Sequence, residues 1–578
     1  TFWAAPGAYY FTVTGQGAAS SSYQLTLPFG ISGTYNAVAK SIEQVRYADQ
    51  YGASPSNSAA VNTTALQAWL NSGGTRLYLP DGVYTTNELT LPSNVEIFGP
   101  GTLKQAVAGF EVFYCAGCSN VWIHGITLQG VGGNGVSPAP TNDDCGVKVA
   151  NPSTSAAVAN IRIDHVTFTG WLLYGAWLQN AKDIWFDHNY FYSSGPLLRL
   201  EGVNDAHVTD NIARDTSIDP SVFKSAISLP GTTGGYATDQ HVIIAHNTVA
   251  NYSNTQAVLN HSCTDCTVAD NHFIGVNQGV GAAPAATTDT VVRLQVARNT
   301  YESTSTAGGS IGNQCIFVAG NATTSADHPV ISGNTCYNAN LVDQNTGEGA
   351  IGLSYTDGAI VEGNSLNHSY VSGIYLNNVN TNLHIGSNLI ANGQVVGGLN
   401  EGVYLPSGQG AGTTGAIRHN TFTAYLDGLR FDTSATGLVI GENTFTGVTG
   451  SRIVSPSNVT VATTSYGTVN AQLQSDAYPS VVMDGPNRDL CIGAGTIACD
   501  ITLSRGAGGT ASFNARVDTP SLNINATGPL FTTAQTGTGS LVMSTSPSIA
   551  SPTLTGTTSA ATINATTLQQ GGATVALA

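Results

Sequence analysis

One pattern of apolar and polar positions recurs along most of the chain. Two or three alternating apolar residues lead to a short polar step, an asparagine, any residue, and another apolar one. The pattern runs through DIWFDHNYF (Asp183–Phe191) and continues around Asn211, Asn247, Asn271, Asn299, Asn334, Asn364, Asn388, Asn420 and Asn443. Successive asparagines are 22 to 36 residues apart. Two earlier copies, VWIHGITL from Val121 and IRIDHVTF from Ile161, lack the asparagine. Strands this short bury no face alone, so they predict a solenoid in which each coil covers the next. Asparagine tolerates the left-handed conformation and is expected to turn a fixed corner, its amides forming a ladder. The units lack 3.6-residue periodicity, and a propeller blade needs about 40 residues with hairpins. The fold class expected is therefore all-β, a single-stranded parallel β-helix.

The raw sheet edge at the start of a solenoid needs cover. NSAAVNTTALQAWLNSGG supplies a helix with Val61, Ala65, Leu66 and Trp69 on one face, Asn57 or Ser58 as N-cap, and Gly73-Gly74 as its stop. Strands RLYLP and GVYTT follow. A second strand precedes each asparagine unit, opened by glycine in most copies. Aligned on Val149, Leu178, Leu200, Leu229, Leu259, Val318, Leu353, Leu376, Leu405 and Phe431 as inward residues, these strands turn two rows outward. One row holds Lys148, Trp177, Arg199, Ser228, Val258, Phe317, Gly352, Tyr375, Tyr404 and Arg430. The other includes Gln179, Glu201, Asn260, Asn377 and Asp432.

The run from Tyr47 to Gly101 (YADQYGASPSNSAAVNTTALQAWLNSGGTRLYLPDGVYTTNELTLPSNVEIFGPG) resembles the opening segment of the pectate-lyase-like, rhamnogalacturonase/epimerase-type family. The asparagine repeats carry the resemblance to about residue 450. It implies a right-handed parallel β-helix with an N-terminal capping helix, and carbohydrate chemistry. The stretch TGTGSLVMSTSPSIASPTLTGTTSAATINATTLQQGG resembles bacteriophage tail-fibre and tailspike shafts, which implies a homotrimer. The expected parts are a β-rich segment over 1–34, the opening segment and helix over 35–94, the β-helix over 95–455 and a fibrous shaft over 456–578.

Composition narrows the partners. Only 9% of the 578 residues are charged and 41% are apolar, which excludes a solvated disordered chain. Eighteen Lys+Arg against 35 Asp+Glu leave a net charge of −17, unsuited to nucleic acid. No apolar run of about 18 residues predicts membrane insertion. The chain opens on Thr1 with no secretory segment, so a fragment or processed product is expected. Of nine cysteines, Cys115/Cys118 and Cys263/Cys266 form C-x-x-C pairs too far apart, and without histidine at finger spacing, for zinc. Cys491 and Cys499 flank a hairpin turn, and the rest read as buried small hydrophobes. No D-x-D-x-D-G loop is present, and no metal or cofactor is expected.

Aromatic, cationic and acidic side chains on a flat sheet suit a polysaccharide. Lys148, Trp177, Gln179, Arg199, Tyr375, Tyr404 and Arg430 are the expected substrate contacts. Glycosidic cleavage needs a proton donor and a base or nucleophile, commonly two carboxylates. The first candidate set joins Asp143 and Asp144, in TNDDCGVKV, with Glu201 two coils on, roughly 10 Å away and suited to an inverting pair. Loops 130–142 and 215–225, the latter with Asp219 and Lys224, would wall it. The second set is Glu401 and Asp427 on adjacent coils, about 5 Å apart and suited to a retaining pair, with Glu348, Tyr404 and Arg430 nearby. The first is preferred for its aromatic surroundings, Trp171, Tyr174 and Trp177. Acids before glycine, Asp427 above all, also serve simply to satisfy a turn.

NDDC resembles the paired-aspartate motif of polygalacturonases, but their Gly-His-Gly and Arg-Ile-Lys strings are absent. WFDHN resembles the Trp-x-Asp-His string of pectate lyases, without their Arg-x-Pro-x-x-Arg, and its Asp187 and His188 read as corner structure. The function expected is a trimeric, tailspike-like protein of a virion tail or the extracellular space that binds and depolymerises a bacterial surface polysaccharide. A non-catalytic receptor-binding fibre or adhesin, and a polysaccharide lyase, are the alternatives.

Overall fold

The computed structural model describes residues 45–132, 144–171, 173–192, 197–214, 225–232, 235–251, 256–302, 314–339, 349–369, 372–391 and 400–461, and the backbone of strands 490–492, 501–505, 511–513, 568–570 and 573–575. Two compact units divide the chain, Thr1–Tyr466 and Gly467–Ala578. In the second unit, Leu490–Ile492, Ile501–Arg505 and Ala511–Phe513 form an antiparallel sheet, and Leu568–Gln570 pairs antiparallel with Ala573–Val575. The expected segment 1–34, most of the expected shaft, and Cys499 lie outside the described residues.

The first unit is a single-stranded right-handed parallel β-helix. Three parallel sheets of 20, 14 and 14 strands run its length, here called sheets 1, 2 and 3. One coil shows the path. Leu198–Glu201 lies in sheet 3, Asn204–Thr209 in sheet 1 and Ile212–Arg214 in sheet 2, before Ser225–Leu229 resumes sheet 3 one coil on. Inward residues form files. Ile123, Ile163, Phe186, Val208 and Ile244 are in register in sheet 1, and Phe168, Phe191, Ala213, Val249 and Phe273 in sheet 2. All are buried, and Phe168 stacks on Phe191 at 4.5 Å. Period-2 strands thus bury one face each, and stacking makes those faces one core.

The asparagines from Asn189 to Asn443 line up between sheets 1 and 2. Each from Asn189 to Asn420 donates its backbone N–H and side-chain Nδ2 to the Oδ1 of the asparagine one coil later, as Asn247 does to Asn271 at 2.9 Å each. Nδ2 also bonds a backbone carbonyl of the coil before, Val208 O in the case of Asn247. The left-handed turn belongs to the preceding residue, contrary to expectation. His188, Asp210, His246, Asp270 and Arg298 have φ of 53°, 57°, 56°, 57° and 52°, whereas the ladder asparagines do not have positive φ. The corner residue turns outward to solvent, and the asparagine satisfies the buried polar groups behind it.

Helix Ala59–Leu70 packs against Val83–Thr86 and Leu89–Thr90, the first strands of sheets 2 and 3. Ala65, Leu66, Trp69 and Leu70 enter the core, but Val61 is exposed and Asn62 is buried instead. Asn62 turns in because its Oδ1 accepts the Ser54 N–H and the Asn57 amide at the helix entrance. The alignment of the second strands also needs one correction. Leu259, not Val258, faces outward after Ser228, Asn260 turns inward opposite Leu229, and Gln278–Ala282 forms a further coil. Cys115–Cys118, Cys263–Cys266 and Cys315–Cys336 are disulfides, so Cys315 and Cys336 are not simple buried thiols.

Interior space is tight where sheets 2 and 3 approach. A Cβ on Gly175 would lie 2.0 Å from Phe191 Cε1 and 2.9 Å from the Leu197 carbonyl oxygen. Gly175→Ala is expected to destabilise the unit by about 1–3 kcal/mol through overpacking. The check is a lower denaturant midpoint, and an unchanged midpoint contradicts the close approach.

Candidate functional site

The first carboxylate set does not assemble as expected. Asp143 lies outside the described residues, as do Asp219, Lys224 and Glu348. Asp144 precedes strand Cys145–Val149, at the level of Leu173 on the next coil, whose N–H bonds its carbonyl. Glu201 pairs with Gln179, at the opposite end of the same sheet. The register puts Asp144 six positions along the strand from the level of Glu201, about 20 Å. An inverting pair across roughly 10 Å is therefore not formed by these two. Burial pushes the Asp144 carboxyl up, against a hydrogen bond from Gln105 Nε2 at 2.9 Å. Its burial and its bond to Gln105 read as loop structure.

Lys148, Trp177 and Arg199 do share one file on the outer face of sheet 3. The Lys148 Nζ and the Arg199 guanidinium lie 4.9 and 4.7 Å from the Trp177 ring centre. Glu201 is buried, and donors engage both its oxygens. Trp177 Nε1 at 2.9 Å and Gln179 Nε2 at 2.7 Å reach Oε2, and Arg199 Nε at 2.7 Å and Nη2 reach Oε1. A general acid needs an O–H aimed at the leaving group. Both oxygens of this carboxylate are committed to its neighbours. Trp177, Tyr375 and Tyr404 are 9%, 6% and 7% exposed, so the expected open aromatic stripe is instead mostly covered. Trp171 belongs to the core and donates its indole N–H to Leu128 O.

The second set does assemble. Glu401 and Asp427 are direct partners on adjacent strands, Glu401–Leu405 and Asp427–Phe431. A Cβ on Gly402 would meet the buried Phe422 ring, so residue 402 points inward and Glu401 is turned to the outer side. There its Oε1 accepts Arg430 Nη1 at 3.3 Å, while its buried Oε2 has no hydrogen-bond partner. Arg430 Nε is held by both oxygens of Asp432, at 3.0 and 3.1 Å, and Asp432 also accepts the Tyr404 hydroxyl at 3.2 Å. Tyr375 meets Tyr404 edge to face at 5.9 Å. Asp427 Oδ1 accepts the Ser451 N–H of the next coil at 2.6 Å, a structural bond of the kind expected before a glycine.

Burial is the main cause that raises the Glu401 carboxyl to about 7, with Arg430 opposing and Asp427 assisting. Burial also raises Tyr404 to about 12. Asp432 was visible only as an outward residue. The repeated string Arg-x-acid, Arg199-x-Glu201 and Arg430-x-Asp432, signals such same-face pairs. Asp239, beside Glu201, is a buried carboxyl that sequence reasoning missed. Burial holds it well above the usual range, and its Oδ1 accepts the Val203 N–H.

This arrangement makes stability pH-dependent. Below about pH 4.5, Glu401 is protonated in folded and unfolded chains alike. Between its ordinary 4.5 and about 7, only the unfolded chain loses the proton, so stability falls as pH rises, by about 3 kcal/mol in all. Glu401→Gln is expected to gain on the parent protein in thermal unfolding between pH 4 and pH 8. Parallel pH profiles would contradict the burial of an acidic proton here.

Among the described residues, no group of three or more His, Cys, Asp or Glu is placed to hold a metal ion. No helix there is long and apolar enough to cross a membrane. No family model and no curated protein matches the sequence. The chain is similar in structure to PfbA, a surface adhesin of Streptococcus pneumoniae, at 14% identity and a TM-score of 0.47, over 61% of this chain and 91% of that one. Tailspike protein 3 of bacteriophage CBA120 gives 12% and 0.43 over 85% and 73%. An exopolygalacturonase of Thermotoga maritima gives 11% and 0.36 over 72% and 92%. None of these likenesses bears on a reaction.

Proposed function

We propose that the protein binds a bacterial surface polysaccharide and hydrolyses its glycosidic bonds at Glu401 and Asp427. The carrying observation is a pair of carboxyls on adjacent strands, one of them buried with an unpartnered oxygen. Strand spacing of about 5 Å suits a retaining pair. Glu401, raised to about 7 and so about half protonated at neutral pH, gives its proton to the leaving oxygen while an Asp427 oxygen bonds the anomeric carbon. Water then releases the sugar as Glu401 takes a proton back. Asp432 holds Arg430 and Tyr404 as positioning and sugar-contacting groups. The reading includes a homotrimer on a virion tail or an extracellular surface, and three disulfides favour an oxidising compartment.

Incubation with capsular and lipopolysaccharide glycans should release oligosaccharides with retained anomeric configuration by proton NMR. Absorbance from unsaturated ends would replace hydrolysis by a lyase reaction. Binding without product would favour a recognition-only fibre or adhesin. The fully engaged Glu201 network supports that second reading, because such a network presents a fixed surface rather than a proton donor.

A further inference from the structure

Four of the twelve exposed large apolar side chains among the described residues, Trp185, Tyr190, Tyr192 and Ile212, fall on two adjacent coils. They wrap from sheet 1 around the asparagine corner into sheet 2, away from the face that holds Glu401. Trp122, Arg162, Trp185 and His207 form one outward file of sheet 1. Arg162 lies 4.8 Å over Trp122, and Trp185 and His207 are parallel within 4°. At the corner, His165 and His188 stack at 5.0 Å, and beyond it Tyr190 and Tyr192 are parallel within 5°.

Part of the charge on this face is matched locally. Asp164 accepts Arg162 Nη2 at 2.8 Å and Trp122 Nε1 at 2.7 Å, and Asp187 meets His188 at 3.1 Å. Rings and closed polar pairs therefore alternate. An apolar protein partner would strip water from those pairs at a cost. Sugar hydroxyls replace that water, while pyranose C–H faces lie on the rings. Lys182 and Arg214 are exposed here too, but three cations, Arg162, Lys182 and Arg214, stand against five acids, Asp164, Asp183, Asp187, Asp205 and Asp210, so an anionic ligand finds no net positive charge. Trp122 and Trp185 are two strand steps apart, about 10 Å along the helix axis, the span of a short run of sugar units.

We propose that this face is a second glycan-binding surface, separate from Glu401, which holds an uncharged polysaccharide chain along the helix axis. It does not depend on whether Glu401 cleaves anything. The test is native electrophoresis of the full chain through gels cast with hydroxyethylcellulose, xylan, galactomannan, dextran or pullulan. At least one polymer should retard the protein, and Glu401→Gln should be retarded equally. Trp185→Ala with Tyr190→Ala should weaken that retardation by about tenfold in apparent affinity, the worth of one or two ring stacks. Trp185 and Tyr190 are 40% and 39% exposed, and unchanged thermal unfolding of the double variant verifies its fold. Retardation by none of the polymers, or retardation unaffected by the double variant, overturns the proposal. So does a changed oligomeric state of the double variant in sedimentation, because the patch would then join copies of the chain.

Discussion

Asn271→Leu is expected to destabilise the β-helix by about 3–5 kcal/mol, among the largest effects a single side chain can have. Asn271 Oδ1 accepts both the backbone N–H and the Nδ2 of Asn247, and its own Nδ2 serves Ile244 O, Ala269 O and Asn299 Oδ1. Leucine keeps the volume but removes every one of these bonds. It strands buried donors on Asn247 and a buried carbonyl on Ile244, each costing about 1–3 kcal/mol. The same change at Asn443 should cost clearly less, because that residue is half-buried and ends the ladder. Denaturant midpoints of the two variants test the difference, and equal losses would show that the file is not cooperative.

Glu401→Gln is expected to lower glycan cleavage by at least about 100-fold while leaving binding in place. The amide keeps the shape and can still accept from Arg430, but it has no transferable acidic proton. Asp427→Asn should be comparably slow if its second oxygen is the nucleophile. Glu201→Gln should leave turnover within a few-fold and instead weaken the hold on Arg199 and Trp177. Normal turnover in Glu401→Gln, or collapse in Glu201→Gln alone, would move the chemistry to the other end of the solenoid. Rates on a released oligosaccharide, measured beside binding, separate these outcomes.

The solenoid was legible because its asparagines recur in otherwise unlike units, and the inward files follow from strict alternation. The strand Gln278–Ala282 was not, since in QGVGA only Val280 is a sizeable apolar residue, although the 28-residue step from Asn271 to Asn299 contains it. Val258 and Asn260 fell on the wrong face because the apolar Leu259 was read as inward, where the polar Asn260 in fact turns in opposite Leu229. The pairing of Glu401 with Asp427 was readable from their shared place before a glycine. Their ranking was not, because it turns on burial and on Arg430 reaching back across the sheet. Asp144 and Glu201 looked close because coil steps were counted without counting positions along the strand. The covering of Trp177, Tyr375 and Tyr404 depends on tertiary placement that alternation does not report.

The ladder also has a direction. Each ladder asparagine before the last sends its backbone N–H and one Nδ2 bond forward, so a coil without its successor would display unmet N–H groups at its corner. The next coil along the chain brings the oxygen that satisfies them. Because the extra residues fall between paired strands, the step from corner to corner varies from 22 to 36 residues without breaking the ladder.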